Sequence, residues 1–219
     1  MLVLALTGLL LSTPAGCGFA FSEPVQPAGF GATSDSLGRL YAQGQSFGEF
    51  LAGVKSRRET WTRNYAGATI APALLERVRA VPGHWRLLVV AEDWCGDSAN
   101  TIPYLARLTD SVQSVALRIV SSREGRWVME GHHTPDGRAA TPTIILLDSA
   151  GAEAGCFVER PAALREWMEA AKARVGEAEL PQTRDAWRRN DAGQSTLREI
   201  VELLEAAVQG SPRCGGTGD

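Results

Sequence analysis

No Cys-x-x-Cys pair occurs anywhere in the 219 residues, so a dithiol redox motif of the ordinary spacing is excluded. The four cysteines, Cys17, Cys95, Cys156 and Cys214, are too few and too scattered for a small disulfide-built scaffold, and each has to be judged alone. There is no basic excess either. Twenty-two Lys and Arg against 25 Asp and Glu leave a net charge of -3, which argues against a nucleic-acid partner. No Gly-x-Gly-x-x-Gly or Gly-Lys-Ser/Thr sequence follows a strand, so no nucleotide cofactor is implied, and none of any other kind. Internal repeats are absent. What is present is a 44% hydrophobic, 21% charged composition, enough to close one sizeable core.

No basic residue precedes Arg39, and the apolar run over residues 2–11 is ten residues long. A bilayer core of about 30 Å needs roughly twice that length, whereas the apolar region of a signal peptide needs only about 7–15 residues. Ala15-Gly16-Cys17 resembles the end of a bacterial lipoprotein signal, with Pro14 where leucine is usual and no positive region ahead of it. The expectation is an exported protein, periplasmic or lipid-anchored through Cys17, with the mature chain starting at or near that residue. The alternative is a cytoplasmic protein with an apolar extension or a misplaced start. Residues 1–17 are read as the signal segment and 18–45, rich in Gly, Ser, Pro and Ala, as a flexible tether. The domain then covers 46–209, its core 84–175, and 210–219 is a frayed tail.

Ser46 and Glu49 form a capping box, and Phe47, Phe50, Leu51 and Val54 follow at helical spacing, predicting a helix over residues 46–65. A second helix is expected over 72–81. Residues 86–91 form a compact apolar run of strand length after the Pro82-Gly83 break. Ile102, Leu105 and Leu108 return to helical spacing, with Asp97 or Ser98 available as N-cap. Strands are expected over 114–120 and 142–147, a short helix over 123–131, and a hairpin partner over 152–158. Pro161 opens a helix carrying Leu164, Trp167 and Met168, and Thr196 with Glu199 caps a last one. The order β-α-β-α-β-β-α predicts an α/β fold, a central mixed sheet flanked by helices, with strands 86–91, 114–120 and 142–147 mutually parallel and an antiparallel hairpin at the edge.

The most informative stretch is Glu92-Asp-Trp-Cys-Gly-Asp-Ser98, followed by Pro103. A cysteine where a strand hands over to a helix meets unpaired backbone N–H groups and the positive end of the helix dipole, which favour thiolate, the nucleophile of thiol–disulfide exchange. Trp94 would shield one side of the sulfur, Gly96 would let a partner chain approach closely, and Pro103 would kink the helix.

Here the chain resembles the thioredoxin superfamily, whose active site reads Trp-Cys-Gly-Pro-Cys with a proline eight residues after the first cysteine. Trp94, Cys95, Gly96 and Pro103 fall on those places. The resemblance also implies a cis-proline facing the cysteine, preceded by a residue whose backbone holds bound peptide. Pro142 and Thr141, within Ala140-Thr-Pro-Thr143, would take those roles. More narrowly, Glu92–Asp97, Gly137-Arg138 and Glu159-Arg-Pro161 look like a group of bacterial thioredoxin family proteins with helices added before the thioredoxin unit, members of which can lack the second cysteine.

The departure from that pattern decides the chemistry. Ser98 stands where the resolving cysteine would be, and a hydroxyl neither forms nor releases a disulfide. What remains is a monothiol cycle in which Cys95 attacks a disulfide and an external thiol, or a distant cysteine, releases it. Asp97 replaces the usual proline and Asp93 lies close by; carboxylates near a sulfur oppose thiolate formation, against the helix end.

Bland readings compete. Cys95 could be a buried inert side chain, Trp94 ordinary core packing, and Cys156 a core residue of an edge strand. Cys214 could serve Cys95 only if the tail folds back. His132 and His133 are adjacent, point to opposite sides in extended chain, and do not make a metal site. The pairs Arg57-Arg58 and Arg188-Arg189 read as solvated helix faces. Three functions stay open: a monothiol oxidoreductase acting on protein or small-molecule disulfides, a redox-inert peptide-binding module using the groove between Trp94 and Pro142, and glutathione-dependent iron–sulfur ligation by Cys95.

Overall fold

The computed structural model describes residues 34–215; the signal-like stretch, Cys17 and residues 216–219 lie outside the described residues. The sheet is organised around β1 (Trp85–Val90). Its Leu87, Leu88, Val89 and Val90 are all fully buried, because an unbroken apolar run needs cover on both faces. β1 pairs in parallel with β2 (Val115–Val120) and antiparallel with β3 (Thr143–Leu147). β3 pairs antiparallel with β4 (Glu153–Val158), and β4 in parallel with β5 (Arg213–Gly215), giving the order β2-β1-β3-β4-β5.

Helices cover both faces. On one, Leu87, Val89, Ile144 and Phe157 pack with residues of α2 (Phe47–Gly53), α3 (Arg58–Gly67), α4 (Pro72–Ala80), α6 (Ile102–Ser111) and α9 (Gln194–Val208). On the other, Leu88, Val90, Ile145 and Leu147 pack against Leu37 and Leu40 of α1 (Ser34–Gln43) and Val128 of α7 (Arg126–Gly131). α5 (Gly96–Ala99) is a single turn after β1, and α8 (Ala162–Asp191) is two helical segments separated at Gly176, whose φ is 72°. No helix among the described residues is long and apolar enough to cross a membrane.

Several expectations are corrected. Strand β3 runs antiparallel to β1, not parallel. α7 has six residues and rises only about 9 Å, and the rest of the 121–142 connection is irregular, so no helix runs back along the roughly 20 Å strand as a parallel crossover ordinarily has. The chain therefore re-enters the sheet at the end where β2 left it, with Thr143 opposite Val90. Within the segment read as a tether, residues 34–43 form α1, whose buried Leu37 and Leu40 cover a sheet face. The helix expected over 46–65 is two helices: the Ser46–Glu49 capping box starts α2, but Val54 turns inward and Arg57 adopts a left-handed φ of 53° before α3. Cys95 itself, not Asp97 or Ser98, is the N-cap of α5. Pro103 sits in the first turn of α6, where its missing N–H costs nothing.

At the C-terminal end, Pro161 lies just before α8 rather than opening it. α9 begins at Gln194 after Gly193 (φ 77°), a glycine required because a β-carbon there would collide with the Tyr104 ring. Glu199 caps not its own helix but α8, accepting from the Ala162 N–H at 3.0 Å. The expected frayed tail contributes β5, and Cys214 is disulfide-bonded to Cys156, its partner in the β4–β5 register. Cys156 is a core residue as expected, but as half of a disulfide rather than a free thiol, and Cys214 is committed to it rather than to Cys95.

Candidate functional site

β1 and β3 end side by side, and this places residues 92–98 next to 140–142. The Cys95 Sγ accepts from the Ser98 N–H at 3.4 Å and, as a thiol, donates to the Thr141 carbonyl at 3.2 Å. The Thr141–Pro142 bond is cis. The two segments singled out from sequence thus meet at one sulfur. Cys95 is 9% exposed and is the only free cysteine among the described residues. Ser98 is fully buried, and its Oγ has no hydrogen-bond partner among the described residues. Trp94, read as core or as a shield for the sulfur, is neither packed away nor in the core: it is 61% exposed, while its carbonyl accepts from the Arg57 Nε at 2.7 Å. What comes close to Gly96 is that same arginine, whose Cζ lies 3.6 Å from where a Gly96 β-carbon would be.

The three carboxylates of the motif all turn to internal donors. Glu92 Oε1 accepts from the Ser122 N–H at 2.8 Å and from its hydroxyl. Asp93 Oδ2 accepts from the N–H groups of Ser56 and Lys55 at 3.0 and 2.8 Å, and these bonds hold its pKa below the ordinary value. The neighbouring Trp61 Nε1 donates to the Asp93 carbonyl, and Asn64 Nδ2 donates to the Ala99 carbonyl at 2.8 Å. α3 therefore clamps the motif from one side.

Asp97 is held from the other side. Arg160 grips it with two bonds of 3.0 and 2.9 Å, and Arg188 donates to Oδ1 as well. Arg160 also pairs with Glu159, which in turn pairs with Arg138, so residues 97, 138, 159, 160 and 188 form one partly buried ionic network. Burial opposes the charge on both arginines bound to Asp97, yet their pKa values move in opposite directions. Arg160, with a two-pronged carboxylate and Glu159 beside it, is raised. Arg188, more deeply buried and close to Arg184, is lowered. The reading of Arg188 as solvated is corrected, since it is buried on Asp97; Arg57, Arg58 and Arg189 are exposed as expected, although Arg57 also reaches the Trp94 carbonyl. No residue spacing signals either contact, because they cross 37 and 91 positions of sequence.

Among the described residues, ligand atoms of His132, Glu153 and Cys156 lie within 4.8 Å of one another, but Cys156 is committed to its disulfide and offers no thiolate. His132 instead bonds the Val128 carbonyl through Nδ1 and Glu153 through Nε2, at 2.7 and 2.8 Å.

A family model described as thioredoxin matches residues 44–173, more than half of the chain. The chain belongs to the thioredoxin family. Two solved structures share the thioredoxin fold seen here. A Pseudomonas aeruginosa protein of unknown function superimposes with a TM-score of 0.63 at 22% identity, covering 78% of this chain and 97% of that one. An HIV epitope-scaffold protein does so with a TM-score of 0.61 at 20% identity, covering 77% and 97%. No curated protein matches the sequence. The match begins after α1 and ends within α8, so α1, α9, β5 and Arg188 are features of this chain outside the matched region.

Proposed function

We propose that the chain is a monothiol thioredoxin that exchanges disulfides through Cys95, on protein or small-molecule substrates. The observation that carries this reading is the position of the Cys95 sulfur between the Ser98 N–H and the Thr141 carbonyl, beside an exposed Trp94. The thiol form has an acceptor in Thr141 and the thiolate a donor in Ser98. In the first step the Cys95 thiolate attacks one sulfur of the substrate disulfide; a Cys95–substrate bond forms and the other sulfur leaves as thiolate. Ser98 supplies no second thiol, and Cys156 and Cys214 are bonded to each other. An external thiol therefore attacks the mixed disulfide, becomes disulfide-bonded to the released half, and returns Cys95 as thiolate. Asp97 and Gly96 shape the turn, while Thr141 and Pro142 line the approach of the substrate.

The kinship with bacterial family members carrying Glu-Asp-Trp-Cys-Gly-Asp and no resolving cysteine, and export with maturation at Cys17, belong to the same reading. N-terminal mass of the native protein tests the export; a retained Met1 in the cytosol removes it. For the chemistry, glutathione-dependent disulfide reduction is compared between wild type and Cys95→Ser. Activity in the first and none in the second is expected. Equal background rates would favour the second reading, a redox-inert peptide-binding module, to which the low exposure of Cys95 and the high exposure of Trp94 also lend themselves.

A further inference from the structure

We infer that Arg57 is an anion-recognition arm beside Cys95, making the chain selective for disulfides that carry a carboxylate close to the sulfur. The inference rests on the thiol-exchange reading above and names its substrate class. Four observations lead to it. First, Arg57 is exposed but tethered: its backbone holds a left-handed φ of 53°, its carbonyl starts α3 by accepting from Thr60 and Trp61, and its Nε is tied to the Trp94 carbonyl at 2.7 Å. Secondly, that anchoring lays the guanidinium alongside Gly96, with Cζ, Nη1 and Nη2 at 3.6, 3.7 and 3.8 Å from the place of a β-carbon, one residue from the sulfur-bearing Cys95. Thirdly, Nη1 and Nη2 make no hydrogen bond or ion pair among the described residues, so the two-pronged edge that suits a carboxylate is available.

The fourth is the fate of the surrounding charge. Glu92 is engaged by Ser122, Asp93 by the backbone of Lys55 and Ser56, and Asp97 by Arg160 and Arg188. Among the described residues none of the three carboxylates is ion-paired with Arg57, and the exposed Lys55 on the same loop sets its charge against that of Asp93. A substrate half approaching over Trp94 meets a preplaced guanidinium whose ordering cost is already met by the fold.

The test uses three alkyl disulfides of similar size and different charge on the full chain: dithiodipropionate (anionic), hydroxyethyl disulfide (neutral) and cystamine (cationic). Formation of the Cys95 mixed disulfide is followed by intact mass, with Cys95→Ser as the blank. The expected order of rates in wild type is anionic, neutral, cationic. Arg57→Gln should lower the anionic-to-neutral ratio about fivefold, the size of one charge pair near 4 Å in water. Arg57→Lys, which keeps the charge but neither the two-pronged edge nor the tether to Trp94, should give a ratio between those of wild type and Arg57→Gln. Raising salt from about 0.15 M to about 1 M, which shortens the screening length from roughly 8 Å to roughly 3 Å, should compress the wild-type ratio without any substitution and stands in if Arg57→Gln does not fold. Mixed disulfides formed with no charge preference, or with a preference that Arg57→Gln and salt leave intact, overturn the anion arm alone. No adduct on Cys95 with any of the three overturns the exchange reading, and the arm with it.

Discussion

Arg188 donates to the carboxylate of Asp97, a residue 91 positions earlier in the chain, and does so from a side chain only 9% exposed. The turn that follows Cys95 is therefore held by the second segment of α8 as well as by Arg160. Opening such a pair leaves the buried Arg188, among the described residues, with only the exposed Asp185, at 3.3 Å, to balance its charge, which is more damaging than losing the pair altogether.

Asp97→Ala should accordingly destabilise the protein by about 3 kcal/mol, near the lower end of the range for removing one partner of a buried ion pair. Arg188→Met, which takes away the charge but keeps the stem, should cost less. Urea unfolding of the two variants checks the ranking. Reactivity changes in Asp97 variants would report a loosened clamp, since this carboxylate is paired with two guanidinium groups.

Replacing Ser98 by Cys should create an internal disulfide with Cys95. Among the described residues the Ser98 hydroxyl has no hydrogen-bond partner, so a thiol in its place forfeits no contact of that kind, and the Ser98 N–H already touches the Cys95 sulfur at 3.4 Å. Mixed disulfides on Cys95 should then be released without added thiol. Thiol titration before and after mild oxidation, with intact mass, reads both effects; an adduct that persists in Ser98→Cys as long as in wild type would count against the monothiol cycle.

The Cys156–Cys214 bond joins residues 58 positions apart and fastens the edge strand β5. Cys214→Ser should lower stability by roughly 2–4 kcal/mol through the unfolded chain's regained freedom. The same loss should appear when wild type is unfolded under reducing conditions, while the variant is insensitive to reductant.

Burial opposes the His132 charge, but Glu153 and the Val128 carbonyl favour it more strongly, and its pKa lies above the ordinary histidine value. A group whose folded pKa is raised stabilises the fold fully below its unfolded pKa of about 6.5, and that contribution disappears as pH rises through the folded value. Wild type should therefore lose stability across this window relative to His132→Gln. Parallel unfolding curves from pH 5 to 9 would contradict the pairing.

Much of the sheet was legible in sequence because β1 and β3 are short uninterrupted apolar runs bounded by Gly and Pro. Their relative direction was not. A parallel β3 would have set Pro142 at the far end of the sheet from Cys95, so the expected strand direction and the expected site could not both hold; the brevity of α7 was the available clue. The Trp-Cys-Gly segment and Thr141-Pro142 were readable because they are local. The contacts of Arg57 and Arg188 were not, because an arginine's acceptor 37 or 91 positions away leaves no mark on local spacing. α1 was missed since Leu37, Leu40 and Tyr41 are a thin apolar stripe in a segment rich in Gly and Ser.

α9 lies wholly beyond residue 173, yet Leu197, Ile200, Val201 and Leu204 are part of the main core, packed with Leu105 and Phe157. The cooperative unit is thus larger than the stretch that matches the family model: a protein trimmed to residues 44–173 would expose that apolar face and shed Arg188 together with the strand that Cys214 secures. Homology would mark such a fragment as complete, whereas its physics is that of a partly opened molecule prone to self-association.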